Sequence, residues 1–211
     1  MPVLRSGPAA DERALLVDLL RDVGPDADTL CEGWDARMLA AHLVARETKP
    51  AALAGILVSA LHPRTERIER QTAESRSFAQ LTEAIAAGPP FGLVAPDAVN
   101  VHEFFVHHED VRRAQPGWAP RTLPRRLEDA LRRRLLVLAP ALFRRVRGVR
   151  LHLVTPDGPL RTIGHGKEEV TLTGPVSELF LYAFGRRDAA QVRIDASPAG
   201  RTLLEGAPLG L

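Results

Sequence analysis

The chain has 211 residues, 45% apolar and 26% charged, ordinary proportions for a soluble globular protein and enough length for one large domain or two small ones. Its formal net charge of +2 gives no ground for a nucleic-acid partner, and its single cysteine, Cys31, excludes an intrachain disulfide framework and fits a reducing compartment. The N-terminal Met-Pro-Val-Leu-Arg-Ser lacks the apolar core of a signal peptide, and no run approaches the roughly 18 apolar residues of a membrane span, so a cytoplasmic protein without a membrane partner is expected.

Leu15, Leu16, Leu19, Leu20 and Val23 recur at helical spacing and predict a first helix over residues 11–23, ended by Gly24-Pro25. A loop follows through Cys31-Glu32-Gly33-Trp34. A second helix starts with Asp35 as N-cap, because its carboxylate can accept the free N–H groups of the first turn. It continues through Met38, Leu39, His42 and Leu43, and ends before Pro50 or restarts from it. Residues 51–61 are helical in character, and His62-Pro63 breaks the pattern. A third helical region covers 65–87, stopped by Gly88-Pro89-Pro90. The fourth and clearest helix opens at Pro96-Asp97, with Asp97 as N-cap candidate, and runs to about Gln115, before Pro116-Gly117. Residues 1–115 therefore read as a four-helix bundle.

Residues 116–124 hold three prolines and a glycine and read as a linker. An Arg-rich helix is expected from Arg125 to about Arg147, bent at Pro140. The period then becomes two. Val149, Leu151 and Leu153 alternate with Arg150 and His152, which predicts a half-buried strand. A turn at Pro156-Asp157-Gly158-Pro159 leads to a partner strand at 160–163, and a third strand is expected at 169–173. Gly174-Pro175 opens a helix capped by Gly185. Residues 192–194 form a fourth strand before a short terminal helix. Residues 125–211 thus read as a small α+β domain, and the fold class as a two-domain α+β protein.

Between Arg121 and Arg150 lie ten arginines and two acids. This segment is either an anion-binding face or a solvated helix face. Leu127, Leu131, Leu135, Leu138 and Leu142 supply an apolar stripe for packing and no aromatics interleave to stack bases, which favours the solvated face. Arg112 and Arg113 are better placed for substrate anions.

The fourth helix places Glu103 and His107 one turn apart on one line, with Asn100 and Asp110 beside it. Phe104, Phe105, Val106 and Val111 cover much of the rest. Polar groups aligned on such a helix need partners, and a divalent metal satisfies a carboxylate and a neutral imidazole together. A surface hydrogen bond is the plainer alternative. His42, on or beside an apolar face of the second helix, is the best candidate for a third ligand; a packed core histidine is the alternative. His102 and His108 point away from the line and read as surface or packing residues. Two His and one Glu form a ligand set that leaves zinc an open position. No phosphate loop, dinucleotide fingerprint or nucleophile elbow is present.

The segment Gly33-Trp34-Asp35-Ala36-Arg37-Met38-Leu39-Ala40-Ala41-His42-Leu43 resembles the Gly-Trp…Leu-x-x-His-Leu motif of the mycothiol-dependent maleylpyruvate isomerase family. Glu103-Phe104-Phe105-Val106-His107-His108-Glu109-Asp110 resembles that family's Glu-x-x-x-His-x-x-Asp motif. Residues 170–175 and 181–186 carry a weaker likeness in the second half. The chain looks most like an actinobacterial branch described only as metal-binding. The resemblance implies an N-terminal DinB-like bundle holding a divalent metal, usually zinc, and a small sterol-carrier-like C-terminal α/β domain. It places the metal ligands on His42, Glu103 and His107. Asp110 would either accept the other N–H of His107 or be a plain helix residue. The implied chemistry is an isomerase or transferase in which the metal activates mycothiol or another small thiol toward an electrophilic substrate, with a homodimer allowed. A non-catalytic, stress-linked metal-binding protein and a lipid- or acyl-binding module are the alternatives. Cys31 is either a nucleophile or a small buried hydrophobe.

Overall fold

Proline at one end and glycine at the other delimit helix α1 (Pro8–Val23). A proline is tolerated in the first turn, where its missing N–H would have no partner. Gly24, at φ +84°, leads the chain out while its N–H donates to the Leu20 carbonyl at 3.1 Å. The computed structural model describes residues 7–48, 62–89 and 97–210, and the fold is mixed helix and sheet. The chain divides into two compact units, Met1–Ala119 and Pro120–Leu211.

In the first unit, α1 buries Ala9, Glu12, Leu16, Val17 and Leu20. Leu15, expected in the core, is 47% exposed, because the buried stripe runs from Glu12 through Leu16 to Leu20 at i, i+4 spacing. Helix α2 (Ala36–Thr48) starts as expected, with Asp35 Oδ1 accepting the Met38 N–H at 2.8 Å. The helical continuation expected over 51–61 lies outside the described residues. Helix α3 (His62–Ser75) begins where a break was expected, since Pro63 fits a first turn as readily as it ends a helix.

The single helix expected over 65–87 is two. Ser77 ends the first and caps α4 (Phe78–Ala87) with a reciprocal pair. Gln80 N–H donates to Ser77 Oγ at 3.2 Å, and Ser77 N–H donates to Gln80 Oε1 at 2.8 Å. Ser77→Ala should therefore cost about 0.5–2 kcal/mol in chemical denaturation. An unchanged midpoint would deny the cap that role.

Helix α5 (Asp97–Ala114) packs against α1, while α2 packs against α3 and α4. From Asn100 to Val111 every side chain except Glu103 is buried. A helix enclosed on all sides must supply partners for its polar groups. His108 pairs with Glu12 at 3.0 Å, and Glu109 with both Arg112 and Arg113. The loop before α2 is tied to the same helix. Leu30 N–H donates to the Asp110 carbonyl at 3.0 Å, and Gln115 Nε2 to the Asp28 carbonyl at 3.0 Å.

In the second unit, α6 (Arg125–Leu142) ends earlier than expected, with Pro140 inside its last turn. It buries Leu127, Leu131, Leu135, Ala139 and Leu142; Arg125, Arg126 and Arg133 are exposed. Strands β1 (Val149–Thr155), β2 (Gly158–Ile163), β3 (Glu168–Thr173) and β4 (Arg193–Ala196) form one sheet in the order β2-β1-β3-β4. The β1–β2 and β3–β4 pairs are antiparallel, and β1–β3 is parallel. The return from β2 to β3 passes so close to β1 that a Cβ at Gly166 would lie 1.9 Å from the Gly148 carbonyl carbon. Helix α7 (Val176–Ala183) packs on α6, and α8 (Pro198–Glu205) packs on the sheet. No helix among the described residues is long and apolar enough to cross a membrane.

Candidate metal centre

Helix geometry brings Glu103 and His107 to one line of α5, and the structure brings His42 of α2 to the same place. One ligand atom from each of His42, Glu103 and His107 lies within 4.8 Å of the other two. His107 Nε2 is 3.5 Å from Glu103 Oε2, and the rings of His42 and His107 meet edge to face at 5.2 Å between centroids. Trp34 lies against the His42 ring at 5.1 Å.

Both imidazoles are anchored through the same nitrogen. His42 Nδ1 donates to Glu69 Oε1 at 2.7 Å, and His107 Nδ1 donates to Asp110 Oδ2 at 3.0 Å. An ionised carboxylate only accepts, so each carboxylate fixes a proton on Nδ1 and leaves Nε2 as the lone pair. Carboxylate–histidine pairs of this kind orient metal-binding imidazoles and raise their basicity. Asp110 thus makes the hydrogen bond that the resemblance offered as one of its two roles.

The charges point the same way. Glu69, Glu103 and Asp110 supply three carboxylates to this region. Buried Arg46 is an arginine beside them, with Nε 3.6 Å from Glu103 Oε1 and a guanidinium N–H donating to Asn100 Oδ1 at 3.2 Å. His102 Nε2 is 3.7 Å from Glu103 Oε1. Burial alone would raise the Glu103 carboxyl, but the His107 hydrogen bond and the Arg46 charge outweigh it and hold the group well below the usual carboxylate range. Burial alone would lower His107. Hydrogen bonds to Asp110, Cys31 and Glu103 outweigh that and raise it well above its ordinary value. A donor set of two imidazoles and one carboxylate, with two further carboxylates behind the imidazoles, fits a divalent cation. The side chains of Glu103 and His107 retain 16% and 11% exposure, so the cluster is not wholly sealed from solvent.

A proton and a metal ion compete for His107. Because its pKa in the folded protein is raised, the imidazolium persists to higher pH than a free histidine. Metal affinity should therefore rise with pH through that raised value, with a proton released per ion bound. Calorimetric titrations in buffers of different ionisation enthalpy check this; uptake without proton release would contradict it.

Cys31 completes the surroundings. Its Sγ–H donates to Asp110 Oδ2 at 3.2 Å and lies 3.9 Å from His107 Nδ1. The sequence shows Cys31 eleven residues before His42 but nothing of Asp110 beside it. Glu69 was also missed, although Thr65, Glu69 and Thr72 share a face of α3 at i, i+4, i+7 and are all buried. Arg46 had a fainter signal, one turn beyond His42.

Other expectations need correction. Arg112 is not free for substrate anions. Its Nε donates to Glu109 Oε1 at 3.1 Å and its guanidinium to Glu109 Oε2 and the Ala119 carbonyl. Arg113 Nε donates to Glu109 Oε2 at 2.5 Å, and its guanidinium covers the Trp118 ring. His102 and His108 are both buried, which rules out the surface half of their reading.

The fold is similar to that of solved structures. It superposes on the crystal structure of the mycothiol-dependent maleylpyruvate isomerase with a TM-score of 0.61 and 16% sequence identity, covering 89% of this chain and 90% of that one. A histidine-to-alanine variant of that enzyme matches over the same shares with a TM-score of 0.55. Neither a family model nor a curated protein matches the chain by sequence. At this identity the likeness establishes the fold.

Proposed function

We propose that the chain is a divalent-metal-dependent enzyme that activates a small thiol, a mycothiol-using isomerase or transferase. The observation that carries the reading is the convergence of His42, Glu103 and His107 with both Nδ1 atoms held by carboxylates. The structural likeness to a mycothiol-dependent maleylpyruvate isomerase supports reading the thiol as mycothiol and the reaction as isomerisation or transfer.

His42 and His107 would hold the ion through Nε2, and Glu103 through its carboxylate. A bound divalent ion, with zinc the best match to this donor set, would keep a thiol deprotonated near neutral pH. The chain's own groups then have separate tasks. Glu69 and Asp110 keep the Nδ1 protons in place and so fix the tautomer and aim of both rings. Glu103 lowers the net charge of the centre. Arg46 balances Glu103 and keeps a positive charge beside it. The thiolate would add to an electrophilic carbon of a second small molecule, whose π bond opens and whose displaced electron pair takes up a proton. A reducing cytoplasm is the setting that suits a free thiol cosubstrate.

The test is direct. Metal-loaded protein is incubated with mycothiol and a panel of electrophiles that includes maleylpyruvate, and thiol consumption and product are followed. Turnover that requires both metal and thiol supports the reading. Metal retention without reaction on any member of the panel overturns catalysis and leaves a metal-binding protein.

A further inference from the structure

The imidazole of His107 has a second cluster on its other side. Glu103 faces Nε2, whereas Asp110 and Cys31 gather at Nδ1. One ligand atom from each of Cys31, His107 and Asp110 again lies within 4.8 Å of the others. The separations are 3.2 Å from sulfur to carboxylate oxygen, 3.9 Å from sulfur to Nδ1, and 3.0 Å from Nδ1 to carboxylate oxygen. Ligands of one small ion, bonded at about 2.0–2.3 Å, stand apart by similar distances.

We infer that Cys31, His107 Nδ1 and Asp110 form a second cation position, for a thiophilic divalent ion such as Zn²⁺ or Cd²⁺. A sulfur ligand beside nitrogen and oxygen favours such ions over Mg²⁺ or Ca²⁺. Two elements build the position. Helix α5 supplies His107 and Asp110 at i, i+3. The loop before α2 supplies Cys31, fixed by Cys31 N–H donating to Thr29 Oγ1 at 3.1 Å and by the Leu30–Asp110 backbone bond. Cys31 is only half-buried, which gives an ion a route, while Asp110 is fully buried behind it. Filling the position exchanges two hydrogen bonds for three bonds to the ion, and Asp110, which holds the Nδ1 proton of His107 while the position is empty, then orients that ring through the ion instead. The thiol proton and the Nδ1 proton leave to solvent, and His107 becomes a bridge between the two positions. The bridging imidazole makes this the later of the two to fill.

Cadmium titration of the metal-free, reduced protein tests the proposal, because Cys31 is the chain's single thiol and any thiolate-to-cadmium absorption reports on it alone. The parent should bind two ions in succession, with the thiolate band rising in the second phase. Cys31→Ser should bind one ion without the band. Glu103→Gln, which damages only the first position, should keep the band. His107→Gln should lose it, since a thiol binding cadmium unaided would not need the imidazole. A parent that binds one ion with no thiolate band, or a His107→Gln variant with the band intact, would overturn the second position. A parent that binds a single ion, with the band present also in Glu103→Gln, would place that ion at Cys31 and instead overturn the first position.

Discussion

On the proposed function, Glu103→Gln should lose a loaded divalent ion on dialysis, and thiol-dependent turnover with it. Glu103 is the carboxylate member of the three-ligand cluster, and an amide offers the ion neither charge nor comparable basicity. The amide keeps the shape of the side chain beside Arg46, so the fold should survive where Glu103→Ala would take away both the side chain and the carboxylate 3.6 Å from the buried Arg46 Nε. Removing a group behind a ligand costs less. Glu69→Gln should weaken metal binding about 10–100-fold, through a misaimed His42. Metal per chain after dialysis, with circular dichroism as the check on folding, gives the comparison. Equal metal content in Glu103→Gln and parent would show that the ion sits elsewhere.

The largest loss of stability is expected at Phe104. It is fully buried on α5, next to Glu103, and the Arg13 guanidinium covers its ring at 4.2 Å. Arg13 is itself held by Glu47 and by the Ile85 carbonyl at 2.8 Å, so α1, α2, α4 and α5 meet at this ring. Phe104→Ala should cost about 3–5 kcal/mol. Denaturant unfolding measures it, and a loss below about 1 kcal/mol would mean that the surroundings close over the space. The candidate ligand atoms of Glu103 and His107 lie on another face of the helix, so a variant that still folds should bind metal as the parent does.

Periodicity made the strands and most helices legible. The alternation from Val149 to Leu153 needs no tertiary information, nor does the Glu103–His107 spacing. What was hidden depended on partners distant in sequence. Ser77 and Gln80 read as ordinary polar residues inside a helix until their reciprocal hydrogen bonds show them as a boundary. Glu69 cannot be told from Glu66 or Glu74 by pattern, and only contact with His42 singles it out. Arg112 and Arg113 looked available because their shared partner, Glu109, sits on the same helix at spacings that also suit a solvent-exposed face. Cys31 gained its neighbours only when its loop bonded to α5.

One helix carries Asn100, Glu103, His107 and Asp110 at successive turns. Each residue of an α-helix turns the chain by about 100° and advances it about 1.5 Å. Substitutions along this stretch can therefore be judged one at a time, but a change of length cannot. Deleting any single residue between Glu103 and Asp110 would swing everything beyond it by more than a quarter turn. Before His107 it would break the register of His107 with Glu103, and after His107 the register of Asp110 with His107; either way the backbone bond from Leu30 to Asp110 would be lost. The stretch should accept exchanges of side chain and reject every insertion or deletion, whereas the exposed turn at Pro156-Asp157, between β1 and β2, is where the chain can vary in length.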